Sequence, residues 1–377
     1  MTSPDGLPAI TSAHLRLYQL YDISYSIDLE HARQSLLTPS ARARPVVSRG
    51  ARIEIAQLPL EIRLNDYPVT LGGRALRGQM QARVYDLGIV ALSLVIALPM
   101  PLLWNEAIEL VAAAQAFPAE IAAAFAESLD GLRKRLEPAI ERPNKSVRSE
   151  DYTIFSIERL EAGVPASSLA QHPMLLQVAL GERKTLSAAA SALATSLSYY
   201  EDDLILLTWS AAIVIEPDAD AREDAELLLE FANAQLLSLR SYDAEVERDM
   251  ARLTPRIVRP PARIVWPRLS QWVAMRSTGG FLREIYTLIA DITETSARIQ
   301  NALKVTEDVY WNRVYAAALT ILRVQVWQAG IDGALEVLRR TAALLHDETQ
   351  AAWATLLEIL VIVLIAVEIV VALLGLR

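Results

Sequence analysis

Ile359 to Leu376 holds 18 residues with a single charge, Glu368. A run this long and this apolar either crosses a bilayer or is buried as a core helix. At about 1.5 Å per residue it covers roughly 27 Å, close to the roughly 30 Å of a hydrocarbon core. Trp353 stands at its upstream edge, where an interfacial anchor belongs. Every face between Ile359 and Val367 is apolar, which favours the membrane. Residues 351–377 are therefore expected to form a C-terminal transmembrane helix in contact with membrane lipid, the bulk of the chain remaining cytoplasmic.

Two acids complicate that anchor. An acid at membrane depth costs about 2.5–3.5 kcal/mol even on the lenient insertion scale, so Glu368 should be protonated, paired, or turned toward protein or water. Glu358 and Glu368 fall roughly 80° apart on a helical wheel, away from Ile359 and Val363. A helix with two such flanks suggests self-association, and a homo-oligomer is expected.

The remainder is rich enough in apolar residues to fold: 53% are hydrophobic and 21% charged, which argues against disorder. A net charge of −9 gives no global case for nucleic-acid binding. With no cysteine, disulfides, thiolate metal sites and cysteine nucleophiles are excluded. Met1 to Leu15 is polar and mixed, without the apolar core of a signal peptide or the Arg- and Ser-rich character of a transit peptide, which points to a prokaryotic cytoplasm.

Periodicity divides the chain. Residues 1–137 read as a mixed α/β subdomain: His14 to Leu20 alternates like a strand, Asp28 to Leu37 is helical, Arg52 to Leu64 alternates again, and Leu71-Gly72-Gly73 marks a turn. Ala82 to Leu98 is a long strand or strand pair, and Ala107 to Arg135 is helical with a break at Pro118. Residues 138–150 are polar and read as a linker. A second α/β subdomain over 151–250 holds a strand at Tyr152 to Ile157, a helix over Met174 to Leu197, strands within Asp203 to Ile215, and a helix over Ala219 to Leu253. The run Asp203 to Trp209, apolar on both faces, belongs centrally in a sheet. Whether residues 1–216 make one sheet or two is open at this stage.

Residues 251–280 differ from everything around them. Between Met250 and Arg283 there is no acid, while Arg252, Arg256, Arg259, Arg263, Arg268, Arg276 and Arg283 are basic. Pro255, Pro260, Pro261 and Pro267 forbid a continuous helix, so an extended cationic connector carrying Trp266 and Trp272 is expected. Arginine interspersed with tryptophan beside a membrane anchor suits anionic headgroups or RNA phosphate, or else pairs with acids of the α/β region. Residues 281–350 then read as a coiled-coil-like helical hairpin. Ile285, Leu288, Ile292, Thr295 and Ile299 form one seam, Thr306-Glu307-Asp308 supplies a helix cap, and Val314 to Leu345 forms a second seam whose register continues into the tail.

Catalytic signals are scarce. The four histidines, His14, His31, His172 and His346, offer no helical metal pair. No Walker loop, G-x-G-x-x-G or G-x-S-x-G elbow occurs. Asp202-Asp203 and Asp218, Asp220, Glu223 and Asp224 have the oxygen ligands a hard cation needs, but one pair precedes a strand and the other group sits where a helix N-terminus favours acids. Neither a cofactor nor a metal site is expected.

The segment Asn301 to Tyr315, with Asp308, Tyr310, Arg313 and Tyr315, together with Leu357 to Ile369 and its glutamates ten residues apart, resembles the C-terminal part of the YagE-like family that includes the "required for meiotic nuclear division" proteins. Phe231 to Gln235 is similar to that family's central helix, and Tyr85 to Val90 to one of its strands. The resemblance implies an α/β region, a helical hairpin and a C-terminal membrane helix. It brings no catalytic residues.

These readings converge on an α+β fold: an N-terminal mixed region with sheet, then a helical hairpin, then a membrane helix. The expected function is a membrane-anchored scaffold or interaction protein that oligomerises through its helical region and binds an unidentified protein partner. It is not expected to be an enzyme. Two alternatives remain, a small ion-conducting or ion-sensing oligomer using Glu368, and a metal-dependent enzyme in the α/β region.

Overall fold

Alternation of side chains along β1 (Ile10–Ile27) explains the layering of the whole N-terminal region. Leu15, Leu17, Tyr21 and Ile23 point to one face and join the main apolar core, while His14, Arg16, Tyr18 and Leu20 point to the other. The computed structural model describes residues 7–36, 44–45, 53–55, 57–161, 164–258, 270–301, 303–305 and 308–375. Around β1 the chain builds β2 (Arg44–Pro45), β4 (Leu60–Leu71), β5 (Arg74–Val84), β6 (Ile89–Ala97), β7 (Ile140–Leu160), β8 (Thr195–Leu197), β9 (Leu204–Leu207) and β10 (Ala211–Ile215). These form one nine-stranded sheet in the order β2-β4-β5-β6-β1-β7-β10-β9-β8. Apart from β3, every described strand within residues 1–216 belongs to this sheet. A separate two-stranded sheet pairs β3 (Ile53–Ile55) with β11 (Leu303–Val305).

Every described pairing in the large sheet is antiparallel except one: β10 runs parallel to β7, with Ala211 beside Thr153 and Ile215 beside Ile157. The expected turn at Gly72-Gly73 joins β4 to β5 with both glycines at positive φ, 54° and 74°, as a two-residue hairpin of primed type demands. Gly88 is more constrained: at φ 81°, a Cβ there would sit 1.8 Å from the Ser24 carbonyl oxygen.

The core face of the sheet is covered by α2 (Trp104–Gln115), α3 (Ala119–Leu136) and α4 (Pro173–Leu180), with α1 (Leu29–Leu36) beside them. Pro118 caps α3, so the expected helix break stands where its missing N–H is harmless. The opposite face is covered by the first half of α5 (Ala219–Val258). There the helix meets buried apolar residues, Leu20, Tyr85 and Ile154 among them, interspersed with charged side chains of β1, β5 and β7.

Several sequence expectations are corrected. Residues 138–150 are not a linker: they form the first half of β7, pairing Glu141 with Ser26 and Ser149 with Tyr21. Much of that stretch is exposed, so a polar sequence suits a strand there. The helix expected over 174–197 stops at Leu180, because Gly181 takes φ 61° as a left-handed cap and packs where a Cβ would lie 2.8 Å from the Ala112 Cα. A 3-10 turn at Ala188–Leu193 and β8 follow. The strand within Asp203 to Trp209 is buried but lies one place from the sheet edge rather than at its centre. Tyr85 to Gly88 is the turn between β5 and β6, not a strand.

The basic segment is also more helical than expected. α5 continues through Pro255 to Val258, and α6 (Ser270–Asn301) begins soon after, so Arg252, Arg256 and Arg276 lie on helices. α5 is helical on both sides of Pro255 among the described residues. Arg259, Arg263, Trp266 and Arg268 lie outside the described residues.

The second seam is split between two helices, α7 (Val309–Ile321) and α8 (Val324–Gly375), separated at Leu322-Arg323 with Arg323 at φ 53°. The expected continuity into the tail holds from Val324 onward. The chain divides into two compact units, Met1–Tyr242 with Arg298–Trp327 and Asp243–Ala297 with Gln328–Arg377. In the second, helical unit, the apolar positions step by seven: Ile285 and Ile292 on α6, Ile331 and Leu338 on α8, all fully buried, with Val246 and Leu253 on α5. The Gln328 amide donates to Ser296 Oγ at 3.1 Å between α8 and α6. α8 ends in the one helix, among the described residues, long and apolar enough to cross a membrane: Trp353–Ala372, with a mean hydropathy of 2.8 and none of it buried.

Candidate functional site

The end of β10 sets the position of the site, on the edge where the parallel strand β7 also ends. β9 runs antiparallel to β10 with Leu204 beside Ile215, so the residues just before β9 arrive at the same edge. Three stretches meet there: 199–203, 216–221, and the start of α7 at 308–311. They enclose a cavity of about 610 Å³.

Local sequence explains each wall. Asp203 precedes β9 and receives the backbone N–H groups of Tyr199 at 2.8 Å and Tyr200 at 3.1 Å, which folds the Tyr-Tyr loop over the cavity. After β10, Glu216 Oε1 accepts the N–H of Asp218 at 2.9 Å, and Asp218 Oδ1 accepts that of Ala221 at 2.9 Å, opening α5. Asp308 caps α7 by accepting from Tyr310 at 2.9 Å and Trp311 at 3.3 Å, which turns both rings toward the cavity. The aromatic wall is continuous: Tyr199 lies 4.7 Å from Tyr200 and 5.4 Å from Tyr310, and Tyr310 lies 5.4 Å from Trp311, between ring centroids. Tyr199 and Tyr200 are 64% and 66% exposed and form the rim.

Five carboxylates, those of Asp202, Asp203, Glu216, Asp218 and Asp308, line this space. Among the described residues, no arginine, lysine or histidine forms an ion pair with any of them. The charge is felt inside the cavity. Burial pushes the Glu216 carboxyl up, opposed by its bond from Asp218 and reinforced by the charges of Asp203, Asp218 and Asp202. Burial likewise pushes the Tyr310 hydroxyl up, with Asp203 and Glu216 adding to it and Arg313 opposing, and that hydroxyl oxygen is buried with no hydrogen-bond partner. A shallower cavity of about 390 Å³ adjoins on the far side of Asp202, lined by Glu158, Glu161 and Glu201 among others.

A second set of acids lies beneath α5. Glu226 accepts from His14 Nε2 at 2.8 Å and from Ser156, and pairs with Arg16 at 3.0 Å. One turn on, Glu230 accepts from Arg83 at 2.6 Å and from the Tyr85 hydroxyl at 2.7 Å, while Arg83 also pairs with Glu61 at 3.0 Å. Both glutamates are 2% exposed. Burial works against the charge on Glu226, but Arg16 and His14 outweigh it and hold the carboxyl far below the usual range.

The acidic groups noticed in the sequence are divided by this geometry. Asp202, Asp203 and Asp218 join Asp308 and Tyr310 of the quoted C-terminal motif at one cavity. Arg313 is exposed, and Tyr315 donates to Gln235 on α5 at 2.5 Å, away from the cavity. Glu358 and Glu368 are exposed on α8. Arg252 pairs with Asp249, and the side chains of Arg256 and Arg276 lie outside the described residues. Of the histidines, His172 caps α4, His31 bonds to Asp28, His346 meets Gln350, and His14 is drawn into the buried network. Among the described residues, no three acidic or histidine side chains are placed to hold a metal ion.

Sequence reasoning missed Tyr199, Tyr200, Glu216, Glu226 and Glu230. Only Glu226 and Glu230 left a usable signal, as charges spaced by four on the otherwise apolar face of a long helix.

Comparison with known proteins locates the relationship in this same region. Residues 12–221 match the family described as the N-terminal domain of uncharacterized protein MJ0711, more than half of the chain, and the chain belongs to that family. A relative, uncharacterized protein MJ0711 of Methanocaldococcus jannaschii, is 22% identical over 181 residues, 48% of this chain. The chain spans about half the length of that relative, 52%. This overturns the resemblance to the YagE-like and meiotic-division proteins. That resemblance rested mainly on 301–315 and 357–369, beyond the matched region, with Phe231 to Gln235 also outside it and only Tyr85 to Val90 inside.

Proposed function

We propose that this member of the MJ0711 family is a membrane-anchored interaction protein, held by the apolar end of α8 and presenting the cavity of its sheet unit to a ligand or partner. The observation that carries the reading is the exposure of Trp353–Ala372: none of the 20 residues is buried, and their mean hydropathy is 2.8. Leaving about 20 apolar residues in water is untenable for a folded chain, so lipid or another protein must cover them. Their length matches a bilayer. Glu368 in this helix favours self-association, since a second copy offers a polar environment that lipid does not.

Membrane fractionation of the full chain against a chain ending at Leu345 tests the anchor. The full chain is expected in the membrane fraction after a high-salt wash, and the truncated chain in the soluble one. A truncated chain that still pellets with membranes would remove the tail as sole anchor. Crosslinking in detergent tests the oligomer, and a strict monomer would end that part of the reading.

A further inference from the structure

We propose that the cavity between the start of β9, the carboxyl end of β10 and the start of α7 is a binding site for an organic cation, an alkylammonium or guanidinium group on a flexible stem, its charge facing Asp202 and Glu216 and its stem lying against Tyr199, Tyr200 and Tyr310. The proposal rests on the interaction-protein reading and names the ligand class of that same site.

Three observations lead here independently of the acids' number. First, the aromatic wall is continuous from Tyr199 through Tyr310 to Trp311, with two rings left open at the rim. Aromatic faces attract cations through their quadrupole and do little for anions. Second, the Tyr310 hydroxyl oxygen is buried against the cavity with no protein partner. It is an acceptor for a ligand N–H, and ammonium and guanidinium groups carry only donors. Third, among the described residues no basic side chain forms an ion pair with these carboxylates, unlike the buried acids beneath α5; Arg222 donates to the Glu216 backbone carbonyl at 2.8 Å, and Arg313 is felt at the Tyr310 hydroxyl from an exposed position.

Both oxygens of Asp203, and Oδ1 of Asp218 and of Asp308, accept backbone N–H groups. Asp202, Glu216 Oε2, Asp218 Oδ2 and Asp308 Oδ2 accept no hydrogen bond among the described residues. Calcium takes about 6–8 oxygen ligands, and no metal-holding group of side chains is present among the described residues. One ammonium or guanidinium needs only one or two carboxylates and an aromatic face. The volume, about 610 Å³, is that of a small-molecule site and far exceeds a bare ion.

The test is calorimetric titration of the full chain in detergent with spermidine and with agmatine, using magnesium chloride as the inorganic comparator. Saturable binding of at least one organic cation is expected, undisturbed by equimolar magnesium. Tyr199→Ala should weaken it about two- to fivefold. Asp202→Asn with Glu216→Gln should weaken it about tenfold or more. Asp202→Lys, which brings a resident ammonium, should abolish it. Circular dichroism and melting temperature confirm that each variant is folded. No saturable binding of either cation, displacement by equimolar magnesium, or unchanged affinity in the double variant would overturn the proposal. Each result is independent of membrane attachment, so a failed anchor and a failed cation site are told apart.

Discussion

Acids stand at the start of α5 and again about two turns further along, and the fold treats them oppositely. Beneath the helix, Glu226 and Glu230 are sealed from water and each is met by an arginine and a second donor. At the cavity, Asp202, Glu216 and their neighbours share a pocket with no basic partner among the described residues. The first set is matched within the chain, so its contribution is structural. The second holds negative charge close together where a matched pair would have been more stable, an arrangement typical of sites that trade stability for binding.

The comparison can be broken most decisively at the network. Glu226→Ala leaves Arg16 buried and uncompensated and should cost roughly 3–5 kcal/mol of unfolding free energy, read from denaturant titration. A loss below about 1 kcal/mol would mean that water already solvates the network, and the contrast would fail. Asp308→Ala removes the α7 cap and should cost about 0.5–2 kcal/mol. Because the same cap places Tyr310 and Trp311, tryptophan fluorescence should shift along with stability. Glu216→Gln keeps an acceptor for the Asp218 N–H while removing a repelled charge, and should raise stability by about 0.5 kcal/mol. An equal loss instead would place Glu216 with the structural acids.

The smallest effect is one of sign with pH. A carboxyl whose folded value lies below its unfolded one stabilises above the unfolded value and loses that contribution as pH falls through the folded value. Glu226 is of this kind, so its share is lost below the ordinary carboxylate range. Glu216, held above its ordinary value, behaves in reverse: its contribution is present at low pH and lost as pH rises through the raised value. Melting temperatures across the acid range should show Glu216→Gln flattening the upper limb while leaving the low-pH loss intact.

Elements with a clear period were legible in the sequence. The β1 alternation, the Gly-Gly turn, the break at Pro118, the Asp308 cap and the apolar tail all follow from local rules, and all are present. What failed did so where local composition and tertiary role part company. A polar stretch such as 140–150 reads as a linker because a half-solvated strand needs no apolar face, and Pro255 reads as a break although the helix continues past it to Val258. The cavity was half legible. Asp202, Asp203, Asp218 and Asp308 attracted notice, but each separately, since only the pairing of β9 with β10 and the return of the chain at α7 bring these stretches together. Tyr199 and Tyr200 carry no spacing that distinguishes a rim from a loop.

The path of the chain through its two units also orders events in time. It leaves the sheet unit at Tyr242 and returns at Arg298, bringing α7 and the last wall of the cavity. The sheet unit is complete in sequence at Trp327, well before Trp353 begins the apolar span. Since domains fold as units during synthesis, N-terminal parts first, all walls of the cavity are made before the apolar span is. On the proposed reading, the cavity is ready for a ligand before the final helix can reach a membrane.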